Sequence, residues 1–171
     1  DDDDIWHKDR VKLIVETIEK HGPCLIKHFH NSIKGEKIIP VPLKVKFKPN
    51  ALSLGFSNLI GGGSAIAGSS LVFKAIKFSD YSNCEDWEFW IRAFLADIKI
   101  VQINKELVTY RIHANRMTSS FKAVYKYENI IRLKFFMRSF LFIIGIILGF
   151  LKSTIRTLIR TFLFYLRKLF T

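Results

Sequence analysis

Only two of the 171 residues are cysteine, Cys24 and Cys84, and only four are proline. The two thiols fit neither a zinc motif nor a Cys-x-x-Cys redox motif. A chain of this length needs no staple to hold a core, so both read as free thiols of a reducing compartment. The single glycine-rich stretch, Ile60 to Ser70, is not followed by Gly-Lys-Ser/Thr and lacks Gly-x-Gly-x-x-Gly spacing. That excludes a Walker loop and a dinucleotide fingerprint. Internal repeats and low-complexity linkers are absent. The most apolar stretch, Ser139 to Leu151, offers only 13 uncharged residues, short of the roughly 20 that a spanning helix needs. Acid is scarce as well: 15 Asp and Glu stand against 27 Lys and Arg, a net charge of +12.

Hydrophobic residues, by contrast, make up 49% of the chain and include 16 Phe, which excludes disorder. The charge is also unevenly placed. From Phe121 to Thr171 ten Lys/Arg accompany one acid, Glu128. Residues 1–120 therefore read as an ordinary soluble domain and residues 121–171 as a separate basic, apolar segment, with the polar break at Met117 to Ser120 as the boundary. Nucleic-acid binding is not expected. The basic residues are threaded through a greasy run rather than gathered on a soluble face, and no recognition motif is present.

Periodicity predicts a helix over Val11 to Lys20, stopped by His21-Gly22-Pro23. Cys24 to His30 reads as a strand and Asn31 to Lys37 as a turn. Ile38 to Phe47 reads as extended, with Pro40 and Pro42 marking an edge or bend. Asn50 to Asn58 reads as helical, Leu71 to Ile76 as a strand or helix start, and Lys99 to Ile103 and Leu107 to Ile112 as two strands. His28 and His30, two apart on one strand face, read as cleft-lining or core rather than as metal ligands.

The most informative stretch is Asn83 to Arg92. Trp87, Trp90, Ile91, Phe94 and Leu95 recur at helical spacing on one face. Ser82 with Glu85 reads as a capping box. Adjacent carboxylates, Glu85 and Asp86, head this helix. An Asp held rigidly by neighbouring aromatics can take a proton from an incoming hydroxyl. The same pattern also suits acids that complement a helix dipole above a core-facing stripe.

Beyond the boundary, Ala123 to Arg138 reads as a basic helix. Lys152, Arg156 and Arg160 follow four apart, among Ile155, Leu158, Ile159, Phe162, Leu163 and Leu166. This is the pattern of a helix lying in a membrane surface, with basic side chains snorkelling to the headgroups. A helical hairpin packed on a core is the alternative.

Four segments, in order, carry a family resemblance. Asp1-Asp2-Asp3-Asp4-Ile5-Trp6 resembles an Asp-x-Asp-Asp-Ile-Trp segment, and Gly68 to Lys74 resembles the loop and strand before a catalytic helix. Cys84 to Arg92 resembles a Glu-Asp-Trp-Glu-x-Trp-x-Arg helix, and Tyr110-Arg111-Ile112-His113 a Tyr-Arg-x-His strand end. Together they resemble the C-terminal half of a bacterial family 2 glycosyltransferase of the GT-A fold, over Asp1 to about Ser119.

The resemblance implies an α/β fold, a partial GT-A (Rossmann-like) domain lacking its N-terminal nucleotide-binding half and followed by basic apolar C-terminal helices. It implies inverting transfer of a sugar from a nucleotide-sugar donor to a saccharide or lipid-linked acceptor, in surface polysaccharide synthesis. The setting would be the cytoplasmic face of the bacterial inner membrane. Asp86 maps to the general base and Glu85 to acceptor binding or orientation, with Trp87 beside the substrate. Gly68 and Ser69 map to the loop beside the donor. Asp3 and His113 map to ligands of a divalent cation, Mg²⁺ or Mn²⁺, and Asp1 helps to hold that cation or the ribose. Because the family's nucleotide-binding half lies upstream of the Asp-x-Asp segment, the expectation is a fragment or split-gene product inactive without its missing N-terminal half. The alternative is a non-catalytic membrane-associated protein derived from a truncated glycosyltransferase.

Overall fold

A computed structural model describes residues 3–39, 49–58, 60–113, 121–135 and 140–169. The chain is mixed α/β, with a mixed five-stranded sheet and six α-helices among the described residues. It divides into two compact units. One holds the sheet with the first, third and fourth helices, and the other holds the second, fifth and sixth.

In the first unit the strands are β1 (Ile5–Trp6), β2 (Leu25–Lys34), β3 (Lys37–Ile39), β4 (Ile66–Gly68) and β5 (Ile100–Arg111). The order is β1-β5-β2-β3, with β4 on β2. β5 runs parallel to β2, and the other pairings are antiparallel. Two differences from the sequence reading concern length. β2 continues through Asn31 to Lys34, where a turn was expected, because Ser32 and Ile33 find partners on both sides, in β3 and β5, and Lys34 pairs with Lys37 of β3. The two strands expected after Lys99 are one. The polar residues Asn104 and Lys105 between them are accommodated by register shifts near His28 and Phe29 rather than by a break.

Helix α1 (Arg10–His21) ends at Gly22, whose φ of 74° favours glycine. Helix α3 (Ser70–Ala75) settles the ambiguity of Leu71 to Ile76. Helix α4 (Glu85–Leu95) follows Cys84, whose backbone is left-handed at φ 60°. Its buried set is Trp87, Glu88, Phe89, Trp90, Ile91 and Ala93, a wider face than the expected stripe, while Leu95 is exposed. The reason is cover on a second side. Phe89 stacks on Phe78 and Phe73, with centroids 4.4 and 5.6 Å away. Both carboxylate oxygens of the buried Glu88 accept from Arg92 Nε at 2.8 Å. A carboxylate with no exposure needs such a partner, since an unpaired buried charge is strongly destabilising.

In the second unit, α2 (Ala51–Phe56) opens on a reciprocal cap. Ser53 N–H donates to Asn50 Oδ1 at 2.9 Å, and Asn50 N–H donates to Ser53 Oγ at 3.2 Å. Helix α5 spans Phe121–Phe135, and α6 runs unbroken over Phe140–Leu169. Gly149 lets α6 approach α2 closely, since a Cβ there would lie 2.6 Å from the Phe56 carbonyl oxygen. Arg132 on α5 is buried, donating to Ser153 Oγ on α6 at 3.3 Å and to Phe56 O at 3.3 Å. Of the extended segment expected over Ile38 to Phe47, Ile38 and Ile39 lie in β3; residues 40–47, the boundary at Met117 to Ser120, and Arg138 lie outside the described residues. Among the described residues no helix is long and apolar enough to cross a membrane.

Candidate active site

Asp86 lies in the first turn of α4 and is held from two sides. Its Oδ1 accepts from the Trp87 amide at 2.7 Å, and its Oδ2 accepts from Asn58 Nδ2 at 2.9 Å. Burial pushes its carboxyl up to about 6, with the neighbouring Glu85 charge adding in the same direction. The Trp87 and Asn58 hydrogen bonds oppose that rise. Glu85 itself is half-buried. Trp87 is buried in the core, so its visible contribution is to fix the carboxylate through its amide.

Asn58 also ties Asp86 to the glycine stretch. Its side chain donates to Gly61 O and accepts from Gly61 N–H, both at 3.3 Å, and Trp90 Nε1 donates to the same carbonyl at 3.2 Å. Gly61 has φ 134°, a conformation that side chains rarely adopt. A Cβ on Gly62 would sit 3.0 Å from the Tyr110 hydroxyl and 3.6 Å from Asp86 Oδ2. Gly62 backbone, the Tyr110 hydroxyl and the Asp86 carboxylate therefore converge, with the two oxygens within about 7 Å of each other.

The antiparallel register of β1 on β5, Ile5 opposite Thr109, brings the leading aspartates to the end of β5. Asp4 Oδ1 accepts from the Arg111 amide at 3.0 Å, and Asp3 O accepts from Arg111 Nε at 3.1 Å. Asp3 Oδ2 lies 3.0 Å from His113 Nε2. Tyr110 joins the two groups of acids. Burial pushes its hydroxyl up to about 12, and both Asp4 and Asp86 are close enough to raise it further by Coulomb repulsion. The hydroxyl is a neutral donor at physiological pH.

Around Tyr110 lies a polar cluster. The buried Arg10 donates to Ser64 O at 2.8 Å and stacks 4.0 Å over Trp6. His28 is buried, and desolvation takes its imidazole down to about 4. Its Nδ1 lies 3.0 Å from Phe29 O, so in this neutral ring Nδ1 carries the proton and Nε2 is an acceptor. His30 packs edge-on to Tyr110 at 4.5 Å. Asp4 Oδ2, Arg10 Nε and Nη1, His28 Nε2 and Ser64 Oγ are buried without a hydrogen-bond partner among the described residues.

Of the expected site residues, Asp86 and Glu85 lie together in the first turn of α4, and Asp3 and His113 lie together at the end of β5. Asp1 lies outside the described residues. The interactions of Gly68 and Ser69 are with the scaffold. A Cβ on Gly68 would meet Cys24 O at 2.7 Å, and Ser69 caps α3 by accepting from Leu71 N–H at 3.3 Å. The glycines beside Asp86 are instead Gly61 and Gly62. Asn58, Gly62, Tyr110, Asp4 and Arg10 were not singled out from the sequence as site residues, although the glycine run, the Tyr-Arg-x-His segment and the leading aspartates pointed at three of them.

No protein-family model matches this chain, and no curated protein matches it. Among the described residues no three His, Cys, Asp or Glu side chains gather as a metal site. The 3.0 Å contact between Asp3 and His113 is a direct ion-pair contact, and carboxylate with imidazole is a donor pair of the type that suits Mn²⁺.

Proposed function

We propose that the sheet unit is the acceptor-side half of an inverting, GT-A-like glycosyltransferase domain of family 2, acting on a nucleotide-sugar donor and a hydroxyl acceptor. The observation that carries this reading is the convergence of the Tyr110 hydroxyl, the Gly62 backbone and the Asp86 carboxylate, with the two oxygens within about 7 Å of each other. Asp86 is the general base. With a carboxyl near 6 it is ionised at neutral pH, yet basic enough to accept a proton from an attacking hydroxyl. Asn58 and the Trp87 amide aim it, and Glu85 disfavours its return to a relaxed, low-pKa state. Tyr110 donates to a substrate oxygen and stays neutral while doing so.

Asp3 and His113 would hold a divalent cation, whose chemistry is to neutralise a leaving diphosphate. The test is sugar transfer by the protein isolated from its own cells, with a panel of nucleotide-sugars and Mn²⁺. Asp86→Asn should abolish transfer and leave metal-dependent donor binding intact. Transfer that survives the substitution removes Asp86 as the base.

A further inference from the structure

Helix α6 presents an apolar face that the second unit leaves uncovered. Ile147, Leu151, Ile155, Leu158, Ile159 and Phe162 are each 48–64% exposed. At 3.6 residues per turn they fall within one arc of about 120°. The helix cannot roll to hide them. Gly149 sits against Phe56 O, and the buried Ser153 meets Arg132, so close backbone packing and a buried polar contact fix its rotation. An exposed apolar face of this extent marks an interaction surface.

Charge says what the cover is. Lys152, Arg156 and Arg160 run from one edge of the arc round toward the packed side, where Lys152 donates to Ser57 Oγ at 3.2 Å, and α6 contains no Asp or Glu. Arg156 donates to Glu128 Oε2 at 2.9 Å, and that carboxylate also serves Arg132, so the acid is shared and the excess remains positive. A second copy of this helix would bring the same positive edge to meet itself. A spanning orientation would draw the three basic side chains through hydrocarbon, and no described helix is long and apolar enough to cross.

We infer that α6 lies flat in the surface of a bilayer containing anionic lipid. Its apolar arc sinks to the acyl boundary, and the exposed Lys152 and Arg160 reach phosphate groups. The inference stands on the second unit alone and does not depend on sugar transfer.

The full chain is tested by co-flotation with phosphatidylcholine vesicles that contain or lack about 30% phosphatidylglycerol. The anionic vesicles should bind it, and Leu151→Glu/Leu158→Glu should weaken binding by roughly tenfold or more. The equally exposed pair Val11→Glu/Val15→Glu on α1 should change it little. Leu158→Trp should show a blue-shifted emission on those vesicles only, which reports insertion rather than adhesion. Circular dichroism checks that each variant is folded. Absence of flotation by folded protein overturns the inference. So does binding that ignores Leu151→Glu/Leu158→Glu and transfers wholly to DNA, or a dimer dissolved by that double substitution without vesicle binding.

Discussion

Replacing Asp86 by Asn should make the protein more stable at neutral pH while removing its proposed chemistry. Burial holds the folded carboxyl at about 6 against an ordinary value of 3.8. The folded state therefore binds more protons than the unfolded chain between those values, and stability falls as pH rises through that window. Above it the full penalty of the buried charge is present, about 3 kcal/mol at 1.36 kcal/mol per pH unit. Asn removes the penalty but forfeits the Asn58 contact at 2.9 Å, worth about 1 kcal/mol. The net expectation is a gain of about 1–2 kcal/mol at pH ~7.5 that vanishes near pH ~4.

His28 sharpens the test because its sign is opposite. Its folded value of about 4 lies below the ordinary 6.5. Its contribution is fully present above 6.5 and is lost as pH falls toward 4. In the wild type the two slopes offset each other. In Asp86→Asn the His28 slope stands alone, so stability should fall more steeply from pH ~6.5 to ~4. Urea unfolding followed by the fluorescence of the buried Trp87 and Trp90 reads the sheet unit. A variant less stable than wild type at neutral pH, or one with an unsteepened acid limb, refutes the reasoning. Either result would mean that the carboxylate is favourably bound rather than held under strain.

Three further outcomes follow from the geometry. His113→Ala should weaken Mn²⁺ binding about tenfold or more by calorimetry, since it removes the imidazole 3.0 Å from Asp3. Gly62→Ala should shift the Tyr110 hydroxyl, only 3.0 Å from the added methyl, and lower transfer while costing less than ~1 kcal/mol in urea, because Gly62 has an ordinary negative φ. Gly149→Val should destabilise the second unit by about 2–3 kcal/mol or more in thermal unfolding, since the branched side chain meets the Phe56 carbonyl oxygen.

Local signals were the legible ones. The span of α4, the stop at Gly22 and the entry to α2 through Asn50 depend on neighbours in sequence, and each is where the residues put it. The pairing of Asp3 with His113 was legible only through the resemblance, and β1 on β5 is the element that brings the two together.

What escaped depends on partners far apart in sequence. Asn58 reaches Asp86 across 28 positions, and Arg10 reaches Ser64 across 54. Neither spacing leaves a periodic trace. Gly68 drew attention as a loop glycine, yet its want of a Cβ answers to the Cys24 carbonyl across the β2–β4 ladder. The single long β5 was hidden because Asn104 and Lys105 look like a break until the register shift on β2 is seen. The rotation of α6 was equally invisible, since its apolar residues fit a lipid-facing or a core-facing helix until Gly149 and Ser153 fix its setting.

The central claim is that the Asp86 carboxylate and the Asp3–His113 pair serve one site. Carbon-13 NMR of Asp-labelled protein, with the Asp86 carboxyl assigned by its absence from Asp86→Asn, tests it most directly. The account predicts a carboxyl that titrates near 6 and is broadened by substoichiometric Mn²⁺ in the wild type, but not in His113→Ala. A carboxyl that titrates at an ordinary value, or one that Mn²⁺ leaves sharp, contradicts it.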